Sequence, residues 1–138
     1  MGYKIKWHQK FENLERAFLR LTEAIDRIKQ NMQDNLLVAG FIQTYEFTLE
    51  LAWKTLKDYL EEQGFIEIES PKKVLRTAFK EGFIKDCELW LKAVDDRNLT
   101  SHIYNEEIAK QVITDILEKY YFIIQDLYFI LKENKNDE

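Results

Sequence analysis

The sequence is poor in the residues that build tight turns, disulfides and metal sites. Its 138 residues include four Gly, one Pro, one Cys and two His. So little Gly and Pro disfavours an all-β fold, which needs many tight turns. A single Cys excludes an intramolecular disulfide framework and a cysteine-clustered zinc site, and it is typical of a reducing cytoplasm. We therefore expect a cytoplasmic, helical protein.

Long apolar runs are also missing. No segment is apolar enough over sufficient length to predict a membrane span, and no N-terminal segment resembles a signal peptide. The chain is nevertheless 46% hydrophobic and 33% charged, which is typical of a folded domain rather than a disordered chain. We expect a single domain over residues 1–132 and a frayed tail over residues 133–138.

The chain also lacks a general excess of basic residues. The formal net charge is −5, and residues 86–138 carry six Lys or Arg against twelve Asp or Glu. General nucleic-acid binders usually show a basic excess, so this composition disfavours indiscriminate DNA binding. It leaves room for a local basic patch.

Helical periodicity dominates what is present. Apolar residues recur every three or four positions from Trp7 to Met32, the pattern of a coiled-coil seam or of one face of a bundle helix. A second stripe runs from Leu37 to Tyr59, and Phe47 and Leu51 are among the residues that widen it. Because several helices carry such stripes, the sequence predicts an all-α, antiparallel up-and-down bundle of four main helices plus a short one.

Capping residues place the helix ends. Asp34 and Asn105 are good N-caps, and Ser70 before Pro71 is a strong start signal. Gly64 and Gly82 are positioned to end helices. The predicted helices cover about residues 7–32, 35–64, 71–82, 86–98 and 105–131.

The last predicted helix is apolar on more than one face. Between Tyr120 and Leu131, only Gln125 and Asp126 are strongly polar. In a small bundle, a second apolar face can be buried against another subunit. Since two-fold dimers are the commonest oligomers, we expect a homodimer.

One polar segment, Arg97 to Tyr104, interrupts two apolar helices. It contains Arg97, Asn98 and His102, and a turn after the fourth helix could bring His102 back towards Arg97. Imidazole can move a proton near neutral pH, and a guanidinium offers a planar fork to phosphate oxygens. The alternative is a capped interhelical loop in which Arg97 pairs with Asp95 or Asp96. Spacing alone leaves both interpretations open.

These residues resemble a known family. Arg-x4-His in a small helical bundle, with a polar residue after the Arg, resembles HEPN-domain proteins. The segments Arg97-Asn98, Ser101-His102 and 104–107 resemble, more closely, the bacterial nucleotidyltransferase substrate-binding proteins, as do residues 45–54 and Ser70-Pro71. The resemblance extends from about Phe11 to Tyr128.

The resemblance implies a HEPN-like bundle that dimerises and pairs with a minimal nucleotidyltransferase encoded nearby. It implies a metal-independent ribonuclease toxin with Arg97 and His102 as catalytic residues and Asn98 in support. The partner would neutralise the toxin by transferring AMP to Tyr104. The alternative within the same family is a non-catalytic subunit that binds nucleotide or substrate for the transferase, and a purely structural adaptor is a third.

Other candidates are weaker. Lys72, Lys73 and Arg76 follow helical spacing and could contact RNA phosphates, although a solvated helix face shows the same pattern. Glu46 and Glu50 lie one turn apart, and Glu50 is well placed to pair with Lys54. The chain lacks His-Glu-x-x-His, Glu-x-x-His and paired Cys, so we expect neither a metal site nor a cofactor.

Overall fold

Helices form all the regular structure in the part of the chain that the computed structural model describes, residues 6–96 and 105–137. A π-helical turn over Ile116–Tyr120 joins the last two of six α-helices into one continuous rod. With the rod counted as one helix, these ranges contain five helices, which confirms the all-α prediction. In the same ranges, no helix combines the length and apolar character that crossing a bilayer requires. The helices are α1 (Lys6–Lys29), α2 (Asn35–Glu62), α3 (Pro71–Lys80), α4 (Cys87–Asp95), α5 (Glu106–Asp115) and α6 (Tyr121–Asp137).

The helix ends follow the local sequence. Side-chain oxygens of Asp34, Ser70 and Asn105 accept hydrogen bonds from backbone N–H groups in the first turns of α2, α3 and α5, so these three predicted N-caps are confirmed. Gly64 and Gly82 follow α2 and α3 with φ values of 101° and 83°. This left-handed conformation costs a residue with a Cβ about 1–2 kcal/mol, which explains glycine at both positions.

Helices α1 and α2 form an antiparallel pair. Trp7 near the start of α1 packs edge-on against Tyr59 near the end of α2, with ring centroids 5.0 Å apart. The carboxylate of Asp58 is fully buried and lies 2.9 Å from Lys10 Nζ and 3.7 Å from Lys6 Nζ. A buried carboxylate is costly unless it is paired, so these two lysines fix the register of the pair.

The α5–α6 rod packs antiparallel to α1 through aromatic rings. Phe11 stacks on Tyr128 at 5.6 Å, and Phe18 stacks on Tyr121 at 5.3 Å. The hydroxyl groups of Thr22 and Tyr121 lie 2.8 Å apart and share a hydrogen bond. Stacked pairs add about 0.5–1.5 kcal/mol each beyond the area they bury, so these rings hold the rod against α1.

The rod differs from the predicted last helix in two ways. It continues to Asp137 instead of ending near Leu131, and Lys135 near its end lies 4.0 Å from Glu12 of α1. It also contains the π turn, in which the Tyr121 N–H donates to the carbonyl of Ile116. Periodicity alone does not reveal one extra residue in a turn. The domain boundary at residue 132 stays a prediction.

Candidate functional site

The polar segment that carries the family resemblance lies outside the described residues. Arg97, Asn98, His102 and Tyr104 all fall in the range 97–104. The structure does describe both flanks, the last turn of α4 and the first turn of α5, and the side chains around them. These described side chains are the surroundings of the candidate site.

Asp96, directly before the segment, faces the π turn. The Tyr120 hydroxyl donates to Asp96 Oδ2 at 3.5 Å, which is longer than an ordinary O–H···O bond. The Tyr120 ring stacks on Tyr45 of α2 with a centroid distance of 6.0 Å and an interplanar angle of 20°. The π turn therefore places Tyr120 between α2 and the end of α4.

The Tyr45 hydroxyl is fully buried beside Tyr120 and has no hydrogen-bond partner among the described residues. Burial, followed by the nearby Tyr120 and Asp96, raises the pKa of Tyr45 well above its ordinary value. Burial and the charges of Asp96 and Asp115 raise the pKa of Tyr120 to about 12. Both phenols thus stay protonated at neutral pH and can donate hydrogen bonds next to the segment.

The surroundings of this group are acidic. After burial and Tyr120, the negative charges of Asp96, Glu46 and Asp115 also raise the pKa of Tyr45. Asp115 already has a cation nearby, since Lys119 Nζ lies 3.9 Å from its Oδ1. In the described residues, no three His, Cys, Asp or Glu side chains are arranged to hold a metal ion.

Lys72 of α3 also reaches the flank. Its Nζ lies 3.1 Å from Asp95 Oδ1, with both side chains about half exposed. Exposed pairs of this kind contribute about 0–1 kcal/mol, so Lys72 remains available to a phosphate. Of the two carboxylates that could pair with Arg97 in a structural loop, Asp95 thus has Lys72 as a partner, and Asp96 accepts the hydrogen bond from Tyr120.

Lys73 and Arg76 have described neighbours other than Asp95. Lys73 lines a shallow surface with Glu67 and Glu69, away from Asp95. Arg76 is exposed and lies near the Cys87 thiol, whose pKa burial raises and Arg76 lowers to a smaller extent. Of the three predicted phosphate contacts, only Lys72 is placed beside the flank by a described contact.

The remaining candidates have structural roles. Glu50 pairs with Lys54 at 3.2 Å and accepts a hydrogen bond from Trp53 Nε1 at 3.1 Å, which confirms the expected helical pairing. His8 packs edge-on against Trp7 at 4.4 Å. Sequence reasoning missed Tyr120 because it lies inside a long apolar run, and the only local signal was the pair Tyr120-Tyr121 itself.

Comparison with known proteins identifies the relatives of the chain. The family model described as nucleotidyltransferase substrate-binding protein-like matches residues 9–133. The chain is 33% identical over 129 residues to a Haemophilus influenzae protein named probable ribonuclease HepT, and the match covers 83% of this chain and 88% of the relative. The chain belongs to the nucleotidyltransferase substrate-binding protein family.

Solved structures of similar proteins share the fold. A Haemophilus influenzae structure, described as revealing the fold of a substrate-binding domain of a nucleotidyltransferase, superposes with a TM-score of 0.79 at 29% identity. It covers 88% of this chain and 98% of its own. A Thermus thermophilus structure superposes with a TM-score of 0.69 at 33% identity, over 83% of this chain and 94% of its own.

The Tyr120 environment in this family member predicts a specific alkaline response. Tyr120 ionises near pH 10 in the unfolded chain and near pH 12 in the folded one, so it stabilises the fold fully below pH 10 and loses this effect as the pH rises to about 12. Tyr120→Phe should reduce the fall in unfolding free energy between about pH 9 and about pH 12 by roughly 2 kcal/mol. Urea denaturation at both pH values measures this.

Tyr128→Phe is a second variant for the same measurement. Burial and the Glu15 carboxylate raise the pKa of Tyr128 to about 12, so its removal should reduce the alkaline loss by a similar amount. A Tyr120→Phe protein that retains the full wild-type decline would show that Tyr120 is not held as described.

Proposed function

We propose that this protein is a HEPN-type, metal-independent RNA endonuclease, the toxin of a pair whose second member is a minimal nucleotidyltransferase. The observation that carries the proposal is the 33% identity to a protein named probable ribonuclease HepT, in a chain that contains Arg97, Asn98 and His102 at the spacing of the family signature. Such an enzyme acts on RNA in the cytoplasm and needs no cofactor.

The proposed chemistry is an internal transfer at phosphorus. His102 takes the proton of a ribose 2′-hydroxyl or gives a proton to the leaving oxygen. The 2′-oxygen forms a bond to phosphorus while the bond to the 5′-oxygen breaks, and the products are a 2′,3′-cyclic phosphate and a 5′-hydroxyl. Arg97 stabilises the charge that develops on the phosphorane oxygens, and Asn98 supports either group.

The described flanks favour this assignment. Asp96 directly precedes Arg97 in the chain, so a carboxylate that accepts a hydrogen bond from Tyr120 stands next to the proposed guanidinium. Asn105 caps α5 through Ile108 N–H and fixes where the chain enters that helix. Lys72 at Asp95 adds a positive charge at the outer edge, which suits an incoming phosphate.

The catalytic assignment predicts the outcome of an RNA cleavage assay in the presence of a metal chelator. Arg97→Ala and His102→Ala should each lower the cleavage rate by at least about 100-fold, because each removes a proton-transfer or charge-stabilising group. Initial rates on a labelled single-stranded RNA measure the effect.

The second histidine provides a matched control. His8 lies in α1 beside Trp7, and His8→Gln should leave the rate within a factor of about two. Undiminished cleavage by both the Arg97 and the His102 variants would contradict the catalytic assignment.

We further propose that the transferase partner adenylylates Tyr104. The phenolic oxygen would attack the α-phosphorus of ATP, release pyrophosphate and give up its proton. The chain has seven tyrosines, and the five in the described part are all buried, with at most 6% exposure. Tyr45, Tyr59, Tyr120, Tyr121 and Tyr128 are these five. An enzyme needs an accessible acceptor, so the remaining candidate acceptors are Tyr3 and Tyr104.

Intact mass measurement after co-expression with the transferase tests this choice. The wild-type chain should gain the mass of one or more adenylyl groups, and Tyr104→Phe should abolish the gain because it lacks the acceptor oxygen. Tyr3→Phe is the matched control and should be modified normally. Modification that persists in Tyr104→Phe would contradict the assignment.

The proposed enzyme is a homodimer that uses the outer face of α6. Phe122 and Phe129 lie seven residues apart on this face and are 50% and 54% exposed. Leu19 of α1 is 48% exposed. Large apolar side chains at helical spacing that face solvent are typical of a protein interface.

The second candidate function is a non-catalytic subunit that binds substrate for the nucleotidyltransferase. The family description and the Haemophilus influenzae structure, described as a substrate-binding domain of a nucleotidyltransferase, favour it. This function predicts association with the transferase without any RNA cleavage by the wild-type protein. The cleavage assay therefore separates the two functions.

A further inference from the structure

A solvent-open groove between α1 and α2 has no role in the function proposed above. It has a volume of about 480 Å³. Arg16 and Arg20 of α1 form one wall, and Phe47 and Leu51 of α2 form the other. We call it the α1–α2 groove.

The basic wall carries charge that nothing in the described part of the chain neutralises. Arg16 and Arg20 lie one helical turn apart and are both exposed, yet neither forms an ion pair with a described carboxylate. Asn13 accepts a hydrogen bond from the Arg16 guanidinium and helps to orient it. Some other cations on the bundle surface are paired, such as Lys132 with Glu15 at 3.8 Å.

The opposite wall of the groove carries a solvent-exposed aromatic ring. Phe47 is 62% exposed, although the helical pattern of α2 includes it in the apolar face that packs the core. An exposed aromatic ring across from two guanidinium groups is the arrangement that binds a nucleotide, because the ring stacks on the base and the cations contact phosphate. Each stacked base contributes about 1–3 kcal/mol.

Size and polarity agree with such a ligand. A volume of about 480 Å³ falls within the range of small-molecule sites, about 300–1,000 Å³. Gln43 and Thr44 of α2 also line the groove and offer polar groups to a base or a ribose. The Thr44 hydroxyl already donates to the Gly40 carbonyl at 2.8 Å, so its oxygen serves as an acceptor.

We propose that the α1–α2 groove binds a nucleotide unit, with its phosphate on Arg16 and Arg20 and its base stacked on Phe47. The unit is either a free nucleotide or one residue of an RNA strand. This inference rests on the proposed function, which brings RNA and nucleotides to this protein. A second copy of the chain fits less well, since a two-fold axis through the groove brings like-charged guanidinium groups together.

Fluorescence anisotropy tests the groove with two probes, labelled AMP and a labelled single-stranded oligouridylate. All variants are made in the full chain that also carries His102→Ala, so that the RNA probe survives. Arg16→Gln combined with Arg20→Gln should weaken binding of either probe at least 10-fold. Phe47→Leu keeps the apolar volume but loses the ring, and should weaken binding about 5-fold or more.

Matched controls separate the groove from general charge and surface effects. Lys29→Gln combined with Lys80→Gln removes two exposed cations outside the groove, and Phe79→Leu changes another half-exposed phenylalanine on α3. Both should change binding by less than about two-fold. For the RNA probe, the double arginine variant should also reduce the salt slope by about 1.4, which corresponds to two phosphate contacts.

Each outcome decides the inference. Loss of AMP binding identifies a mononucleotide site, and loss of RNA binding alone identifies a contact for the strand. Equal effects of groove and control variants, or no binding of either probe by the parent protein, would overturn the inference. So would a change from dimer to monomer in the groove variants on sedimentation. Because the readout is binding, the inference can stand even if Arg97 and His102 prove dispensable for cleavage, and it can fail while the catalytic assignment stands.

Discussion

Two consecutive tyrosines on the α5–α6 rod connect it to three other helices of the bundle. Tyr121 stacks on Phe18 of α1 and shares a hydrogen bond with Thr22, while Tyr120 stacks on Tyr45 of α2 and reaches Asp96 at the end of α4. Neighbouring residues on a helix point about 100° apart, so one rod can contact α1 and α2 at once. The π turn immediately before Tyr121 sets this rotation, and turns of this kind are frequent at functional sites.

This arrangement links folding to the proposed chemistry. The buried rings stabilise the bundle, and Tyr120 brings its hydroxyl group to Asp96, the residue directly before Arg97. Asp96 accepts the hydrogen bond from Tyr120, and Asp115 pairs with Lys119, so both carboxylates have partners at this end of the bundle.

Much of the fold was predictable from sequence because its signals are local. The stripe from Trp7 to Met32, the caps at Asp34, Ser70 and Asn105, and the glycines after α2 and α3 all act within a few residues. The π turn and the helical continuation to Asp137 were not predictable, since they depend on contacts with α1 such as that between Lys135 and Glu12. At the site, the residue types in 97–104 pointed to chemistry, whereas the roles of Tyr120 and Asp96 arise from contacts between helices that are distant in sequence.

We propose that His102 and Arg97, in the segment between α4 and α5, catalyse an internal transfer at phosphorus. The chemical nature of the RNA ends after cleavage tests this claim most directly. The proposed mechanism predicts a 2′,3′-cyclic phosphate on one fragment and a 5′-hydroxyl on the other. It also predicts no cleavage where the 2′-hydroxyl at the scissile position is replaced by hydrogen. Fragments with a 3′-hydroxyl and a 5′-phosphate, or cleavage of the substituted substrate, would contradict it.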